Sequence, residues 1–198
     1  MLLLYALPAG IVLGLLAGGA VGRLAATKVR WAPVAVAGLG FQVLLFSSPL
    51  ASALADAGPV GPALYVGSTA VVAMVLAANL GQSGFRVILA GATLNLAAIV
   101  ANGGFMPASP EAWAALHGTV GVPADVLTNS TLATASTPLA FLGDIFYLPR
   151  PLPFANVFSI GDVLIAVGGA WFIARTMAGP RRLEAAPVPA PQQVTVRG

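Results

Sequence analysis

Residues 159–177 read SIGDVLIAVGGAWFIARTM, and this stretch sets the character of the chain. Within it only Asp162 and Arg175 carry a charge. A helix of this length covers about 28 Å at 1.5 Å per residue, which is close to the hydrocarbon thickness of a bilayer. The stretch therefore predicts a membrane-spanning helix.

The rest of the chain has the same apolar character. Of its 198 residues, 58% are hydrophobic and 8% are charged, whereas an average soluble domain has about 25% charged residues. This composition excludes a water-soluble globular protein. Four further apolar runs cover about 2–21, 31–50, 60–80 and 85–101. We expect an all-α integral membrane bundle of five transmembrane helices, forming one domain over 1–178, with a disordered cytoplasmic tail over 179–198.

The basic residues predict the orientation of these five helices. If the helices alternate in direction, eight of the nine basic residues share one side of the membrane, namely Arg23, Lys28, Arg30, Arg86, Arg175, Arg181, Arg182 and Arg197. The positive-inside rule then places the N-terminus outside and the C-terminus in the cytoplasm of a bacterial cell, with the protein in the cytoplasmic membrane.

The composition also limits the partners and cofactors that we expect. Nine basic residues spread along the chain form no cluster dense enough for nucleic acid. The chain has no cysteine and one histidine, His117, so neither thiolate metal sites nor paired-histidine haem ligation can form. We expect membrane lipids and other membrane-protein subunits as partners, and no metal or cofactor.

Glycines recur every fourth residue in the first apolar run. They are Gly10, Gly14, Gly18 and Gly22. On one helix they form a smooth stripe that lets a neighbouring backbone approach closely. We expect the stripe to pack against another helix of the same chain, and homodimerisation is the alternative.

A few polar side chains lie inside the predicted spans. Gln42 and Asn95 are expected to face the interior of the bundle and to form hydrogen bonds between helices. In a carrier they would instead line a ligand site together with Asn102 and Asn156. Neither side chain is ionisable, so the sequence does not support a proton relay through the membrane.

The long connection over 102–158 is expected to be an ordered external segment. It is rich in proline and aromatic residues and is far longer than an ordinary loop. We predict a short helix over Pro110–His117 capped by Ser109, and a second over about Pro123–Leu132. The apolar stretch Pro138–Leu148 contains Asp144 and is too short to span, which indicates an interfacial or re-entrant segment.

Both ends of this segment carry helix-terminating signals. Asn102 is followed by two glycines, a pattern that ends a helix, and its side chain can bond the last carbonyl groups. At the other end, Ser159 and Asp162 have the spacing of a capping box, and Phe158 and Val163 that of a hydrophobic staple. Helix capping alone therefore accounts for Asp162.

Three segments together resemble an uncharacterised bacterial family of small multi-pass membrane proteins, a domain of unknown function. They are Asn-Gly-Gly-Phe-Met-Pro at 102–107, Gly143-Asp144, and Asn-Val-Phe-Ser-Ile-Gly-Asp at 156–162. The resemblance extends over most of the hydrophobic part of the chain, to about Met177. It implies the architecture and implies no activity.

A partial resemblance in the C-terminal third is to signal peptidase II, the lipoprotein aspartic protease. It implies that Asp144 and Asp162 form a catalytic pair that shares a proton and activates a water, while Asn102 orients the substrate. The residues beside Asp144 depart from that family, which has Asn and Arg where this chain has Gly143 and Ile145.

Three functions follow as hypotheses. The first is a non-enzymatic accessory or structural subunit of a membrane complex, which the scarcity of polar residues favours. The second is a small-molecule or lipid-binding protein or transporter with its site at the mouth of the bundle. The third is a membrane-embedded aspartate hydrolase that uses Asp144 and Asp162.

Overall fold

The computed structural model describes residues 2–45, 58–118 and 129–179. Within these ranges the chain is mostly helical. The helices are α1 (Leu3–Leu16), α2 (Val21–Ala26), α3 (Ala32–Leu45), α4 (Val60–Ala77), α5 (Phe85–Ala101), α6 (Pro110–His117) and α7 (Ile160–Ala178). The predicted tail beyond Gly179, with Arg181, Arg182 and Arg197, and the predicted continuation of the second span to Leu50 lie outside the described residues.

Two of these helices, α4 and α7, are long and apolar enough to cross a membrane. Helices α1, α3 and α5 are also apolar but shorter. The predicted all-α character is therefore confirmed as a mostly helical chain, and the arrangement as five spans stays a prediction.

The first predicted span is interrupted in the structure. Helix α1 ends at Leu16, because Gly18 takes a left-handed φ of +71° that breaks the helical path. The Ala20 amide then donates to the Met177 carbonyl at 3.0 Å, and α2 starts at Val21. Uniform apolarity over 2–21 hides this break from a hydropathy argument.

Helix α7 lies at the centre of the bundle, where it packs against α1 on one side and α5 on another. Helix α4 bridges α3 and α5. The contact with α1 depends on glycine, since a Cβ atom at Gly10 would lie 2.9 Å from the Ala170 carbonyl oxygen and one at Gly14 would lie 2.8 Å from Met177 Sδ. Gly18 and Gly22 have no atom of the described residues within 4 Å of such a Cβ, so they take no part in this contact.

One end of the bundle collects the connections that carry basic residues. Arg23 Nη1 donates to the carbonyl oxygens of Met177 and Ala178, both at 2.8 Å. The Asn79 side chain, at the end of α4, accepts from the Arg30 amide at 2.8 Å and donates to the Arg30 carbonyl at 2.9 Å. The α1–α3 connection, the end of α4 and the end of α7 therefore meet at the same end.

The described residues of the segment 102–158, which we call the cap, lie at the opposite end. Two small sheets order it: β1 (Met106–Ala108) pairs in parallel with β2 (Ser130–Leu132), and β3 (Phe146–Tyr147) pairs antiparallel with β4 (Val157–Phe158). A short 3-10 turn covers Ala140–Leu142. Helix α6 confirms the prediction over Pro110–His117, with Ser109 Oγ accepting from the Ala112 amide at 3.1 Å.

The second helix predicted for the cap is not found in its described part. Residues 130–132 form strand β2 instead, and the predicted residues 123–128 lie outside the described ranges. The strand forms because β1 offers an edge: the Met106 amide donates to the Asn129 carbonyl at 2.9 Å and the Ala133 amide to the Ala108 carbonyl at 2.8 Å. That edge comes from a segment more than 20 residues away, so local sequence does not reveal it.

Candidate functional site

The start of α7 carries the predicted capping box. Ser159 Oγ accepts from the Asp162 amide at 3.0 Å, and Asp162 Oδ2 accepts from the Ser159 amide at 3.1 Å. The Asp162 carboxylate also lies at the positive end of the helix dipole, where a negative charge is stabilised. The capping prediction is therefore confirmed.

Asn95 of α5 joins the capping box to form a closed set of hydrogen bonds, which we call the polar ring (Asn95, Ser159, Asp162). Its Nδ2 donates to Asp162 Oδ1 at 2.9 Å, and its Oδ1 accepts from Ser159 Oγ at 2.8 Å. Each of the three residues thus bonds to both of the others. Ser159 is fully buried, so the ring satisfies polar groups that have lost contact with water.

A glycine beside the ring allows α5 and α7 to come this close. A Cβ atom at Gly161 would lie 2.6 Å from Asn95 Cγ. On the other helix, a Cβ at Gly91 would lie 2.9 Å from Leu164 Cβ. Any larger residue at Gly161 would therefore displace Asn95 from the ring.

Asp144 is held in the cap by its main chain. Its amide donates to the Pro107 carbonyl at 2.8 Å, and its carbonyl accepts from the Ser109 amide at 3.0 Å. This short parallel bridge adds Asp144 to the edge of β1 opposite β2. The stretch predicted to be interfacial or re-entrant forms an irregular segment with a 3-10 turn and strand β3, and the cap sheet positions Asp144.

The environment of Asp144 raises the pKa of its carboxyl group. Burial raises its pKa from 3.8 to about 7, and the negative charge of Asp162 adds to the effect. No hydrogen bond joins the two carboxyl groups in the described part of the chain, so in this structure they do not share a proton directly. They interact through their charges.

The amides predicted to bind a ligand have separate partners. Gln42 Nε2 donates to Ser68 Oγ at 3.2 Å and to Thr69 Oγ1 at 3.0 Å, which links α3 to α4. Asn102 Nδ2 donates to the carbonyls of Ala98 and Pro138 at 2.8 and 2.9 Å, which ties the end of α5 to the cap.

Asn156 is placed by its main chain. It lies just before β4, and its carbonyl accepts from the Leu148 amide at 2.8 Å. Asn95, Asn102, Gln42 and Asn156 thus bond to four different parts of the fold. The structure joins Asn95 to Asp162 by a hydrogen bond, whereas Asp162 acts on Asp144 only through its charge.

Two further polar residues were not predicted as site residues. Asn79 is buried and bonds Arg30 and the Val75 carbonyl. Tyr65 of α4 hydrogen-bonds Asn129 and lies within electrostatic range of Asp144 and Asp162. A tyrosine inside an apolar run usually finds a polar partner when it is buried, and that signal alone could have drawn attention to Tyr65. Among the described residues, no group of three or more His, Asp or Glu side chains could hold a metal ion.

Comparison with known proteins identifies the family but no function. The search of curated proteins and the search of solved structures gave no match to the chain. A protein-family model described as "Family of unknown function (DUF5317)" matches residues 26–174. That range holds α3 to α6, α7 as far as residue 174, the cap, the polar ring and Asp144. Since the match covers most of the 198 residues, the chain belongs to this family of unknown function, DUF5317.

Proposed function

We propose that this protein is an integral membrane protein with five spans, an external N-terminus and a cytoplasmic tail, located in a bacterial cytoplasmic membrane. The lengths of α4 and α7 support two spans directly. Helices α1, α3 and α5 are shorter, and flanking residues and local bilayer thinning can accommodate such helices. Contacts of Arg23, Arg30 and Asn79 at one end of the bundle support a common side for the basic connections.

Single cysteines test this orientation cleanly, because the chain has no cysteine of its own. Lys28 is exposed in the α2–α3 connection and Ala135 is exposed in the cap. The two test variants are therefore Lys28→Cys and Ala135→Cys. In intact cells an impermeant maleimide should label Ala135→Cys at once and Lys28→Cys only after permeabilisation. Labelling of both variants in intact cells, or of Lys28→Cys alone, would contradict the topology.

Within the membrane, we propose a non-enzymatic role as an accessory or structural subunit of a membrane complex. The polar ring carries this proposal. Asn95, Ser159 and Asp162 use their hydrogen-bonding groups on each other, and Gln42 and Asn102 do the same with neighbouring helices and the cap. These groups assemble the fold, so little polar chemistry is left for a substrate.

The outer face of α3 is the surface best suited to a partner subunit. Helix α3 packs mainly on α4. Val36 and Val43, two turns apart on α3, are 69% and 71% exposed. In a bilayer such a face meets either lipid or a neighbouring transmembrane helix.

Site-specific photo-crosslinking in native membranes tests this proposal. A photoreactive amino acid at Val36 or Val43 should give one discrete adduct larger than the 19.8 kDa chain. The same amino acid at Val12, an exposed position on α1, serves as the control and should give lipid adducts only. Identical lipid adducts at all three positions would argue against a subunit role.

A membrane-embedded aspartate hydrolase is the second candidate, and one observation favours it. The pKa of Asp144 is raised to about 7 by burial and by the nearby charge of Asp162. Pairs of carboxyl groups with different protonation states are typical of acid–base catalysis. In this proposal Asp144 and Asp162 together activate a water, as the resemblance to signal peptidase II implies, and the raised pKa of Asp144 makes it the carboxyl group that holds the proton.

Separate substitutions of the two carboxyl groups distinguish the two candidates. The purified protein is tested for cleavage of a lipoprotein precursor peptide, together with Asp144→Asn and Asp162→Asn. A hydrolase should lose cleavage in both variants while both stay folded. In the structural role the wild type cleaves nothing, and Asp162→Asn alone lowers the unfolding free energy, by about 1 kcal/mol.

A further inference from the structure

Helix α5 has two unlike faces. One face carries Ile88, Gly91 and Asn95, which contact α7. The other face, together with the turn before α5, forms an open groove of about 520 Å³. Its lining residues are Leu80, Arg86, Leu89, Ala90, Thr93 and Leu94. The spacing of the α5 residues keeps them on one side of the helix, so the groove runs along the helix axis.

The groove is apolar along its length and positively charged at one end. Thr93 Oγ1 donates to the Leu89 carbonyl at 2.8 Å, so its hydroxyl proton is not available to a ligand. The Arg86 side chain is exposed and makes no hydrogen bond or ion pair with the described residues. From Arg86 to Leu94 the helix rises about 12 Å.

Arg86 does not stabilise the helix on which it lies. It is the second residue of α5, where the helix dipole is positive and a cation is disfavoured. The same dipole favours an anion beside Arg86. An anion at this position would therefore be attracted by both the guanidinium group and the end of the helix.

We propose that this groove binds one anionic phospholipid. The phosphate contacts the Arg86 guanidinium, which suits bidentate binding of phosphate, and an acyl chain lies along Leu89, Ala90 and Leu94. The inference rests on the proposed topology, which places Arg86 at the cytoplasmic leaflet, where anionic lipids attract basic side chains. It goes beyond that topology because it assigns a specific site on one helix.

The test measures lipid binding to the purified full-length protein in mild detergent by native mass spectrometry. The probes are dioleoyl phosphatidylglycerol and dioleoyl phosphatidylcholine, which share their acyl chains. The wild type should prefer the anionic lipid. Arg86→Gln should weaken its binding about fivefold and remove the preference, as expected for loss of one basic contact.

Two further variants separate charge from shape. Arg175→Gln removes one charge at the same end of the bundle but outside the groove, so it should keep the preference. Ala90→Phe fills the groove without changing charge, so it should weaken binding of both lipids. Inorganic phosphate should not displace the lipid, because the acyl chain contributes to binding.

Five results would overturn the inference. The first four are an unchanged preference in Arg86→Gln, an equal loss in Arg175→Gln, unchanged binding in Ala90→Phe, and displacement by inorganic phosphate. A delipidated dimer that Ala90→Phe dissociates would also overturn it, because a second copy would then occupy the groove. The cysteine labelling described above tests the topology independently, so failure of the lipid site and failure of the topology are distinguishable.

Discussion

Asn95 Nδ2 donates a hydrogen bond of 2.9 Å to Asp162 Oδ1, and this contact joins two helices through residues 67 positions apart in the chain. Asp162 would cap α7 without it, because the Ser159 amide and hydroxyl already complete the capping box. The bond to Asn95 gives the carboxylate a second role, since it fixes the position of α5 against the start of α7.

Replacing Asn95 should therefore destabilise the helix pair. Asn95→Leu leaves the Ser159 hydroxyl proton without an acceptor and Asp162 Oδ1 without a donor, which costs about 1–3 kcal/mol. Unfolding in a denaturing-detergent titration measures the loss. Thr93→Val on the same helix is the control: the Thr93 hydroxyl bonds only its own helix, so its loss should cost less than half as much. Equal effects of the two variants would mean that the ring adds no stability.

The seam between α1 and α7 should not tolerate a larger residue at Gly10. A methyl group there meets the Ala170 carbonyl oxygen and Ile173 Cβ at 2.9 Å, so Gly10→Ala should cost about 1–3 kcal/mol through overpacking. Gly22→Ala, in open space on α2, should instead gain about 0.5–1 kcal/mol. The same titration compares the unfolding free energies of the two variants. An unchanged value for Gly10→Ala would show that α1 can move away from α7 without loss of stability.

Arg23 should stabilise the end of α7. Its guanidinium donates to the last carbonyls of that helix, where a cation also complements the helix dipole. Arg23→Gln should lower the unfolding free energy by about 0.5–1 kcal/mol at low salt. Lys28→Gln removes one positive charge as well, at an exposed position, and should lower the unfolding free energy less. Equal losses of unfolding free energy in the two variants would indicate a general effect of net charge only.

Asp144 should make stability depend on pH. Its pKa is about 7 in the folded protein against 3.8 for the ordinary group. Between about pH 4 and pH 7 the folded state keeps a proton that the unfolded chain has lost. The unfolding free energy therefore falls as pH rises through this window, by at most about 1.4 kcal/mol per pH unit, and is level above it.

Asp144→Asn should remove this dependence. The midpoint of thermal unfolding, measured between pH 5 and pH 8, should fall more steeply for the wild type than for the variant. Glu111→Gln is the control, because the hydrogen bond from Ser109 lowers the pKa of exposed Glu111, which is the opposite direction to the shift of Asp144. If the unfolding midpoints of the wild type and Asp144→Asn change with pH in parallel, the Asp144 carboxyl group is exposed to water in the folded protein.

Much of the local structure could be predicted from sequence. Ser159 with Asp162, Ser109 with Pro110, and Asn102 followed by two glycines all ended or began helices where their side chains could bond the nearest backbone groups. Such signals are reliable because both partners lie within a few residues of each other.

Predictions that depended on a neighbouring segment were less accurate. The run over 2–21 breaks near Gly18, whose left-handed conformation is compatible with uniformly apolar sequence. Residues 130–132 form a strand because β1 supplies an edge. The glycine spacing at 10, 14, 18 and 22 is regular in sequence, but only at Gly10 and Gly14 would a Cβ atom meet α7.

The sequence by itself determined the apolar, mostly helical character of the chain and the positions of its helix ends, because hydropathy and capping are properties of short segments. Only the tertiary structure decided that Asn95 meets Asp162, that the cap sheet holds Asp144 near the polar ring, and that Arg86 lies at the end of an open groove. Those relationships depend on how each helix is rotated and how closely its glycines let it approach a neighbour, and contacts between distant segments set both.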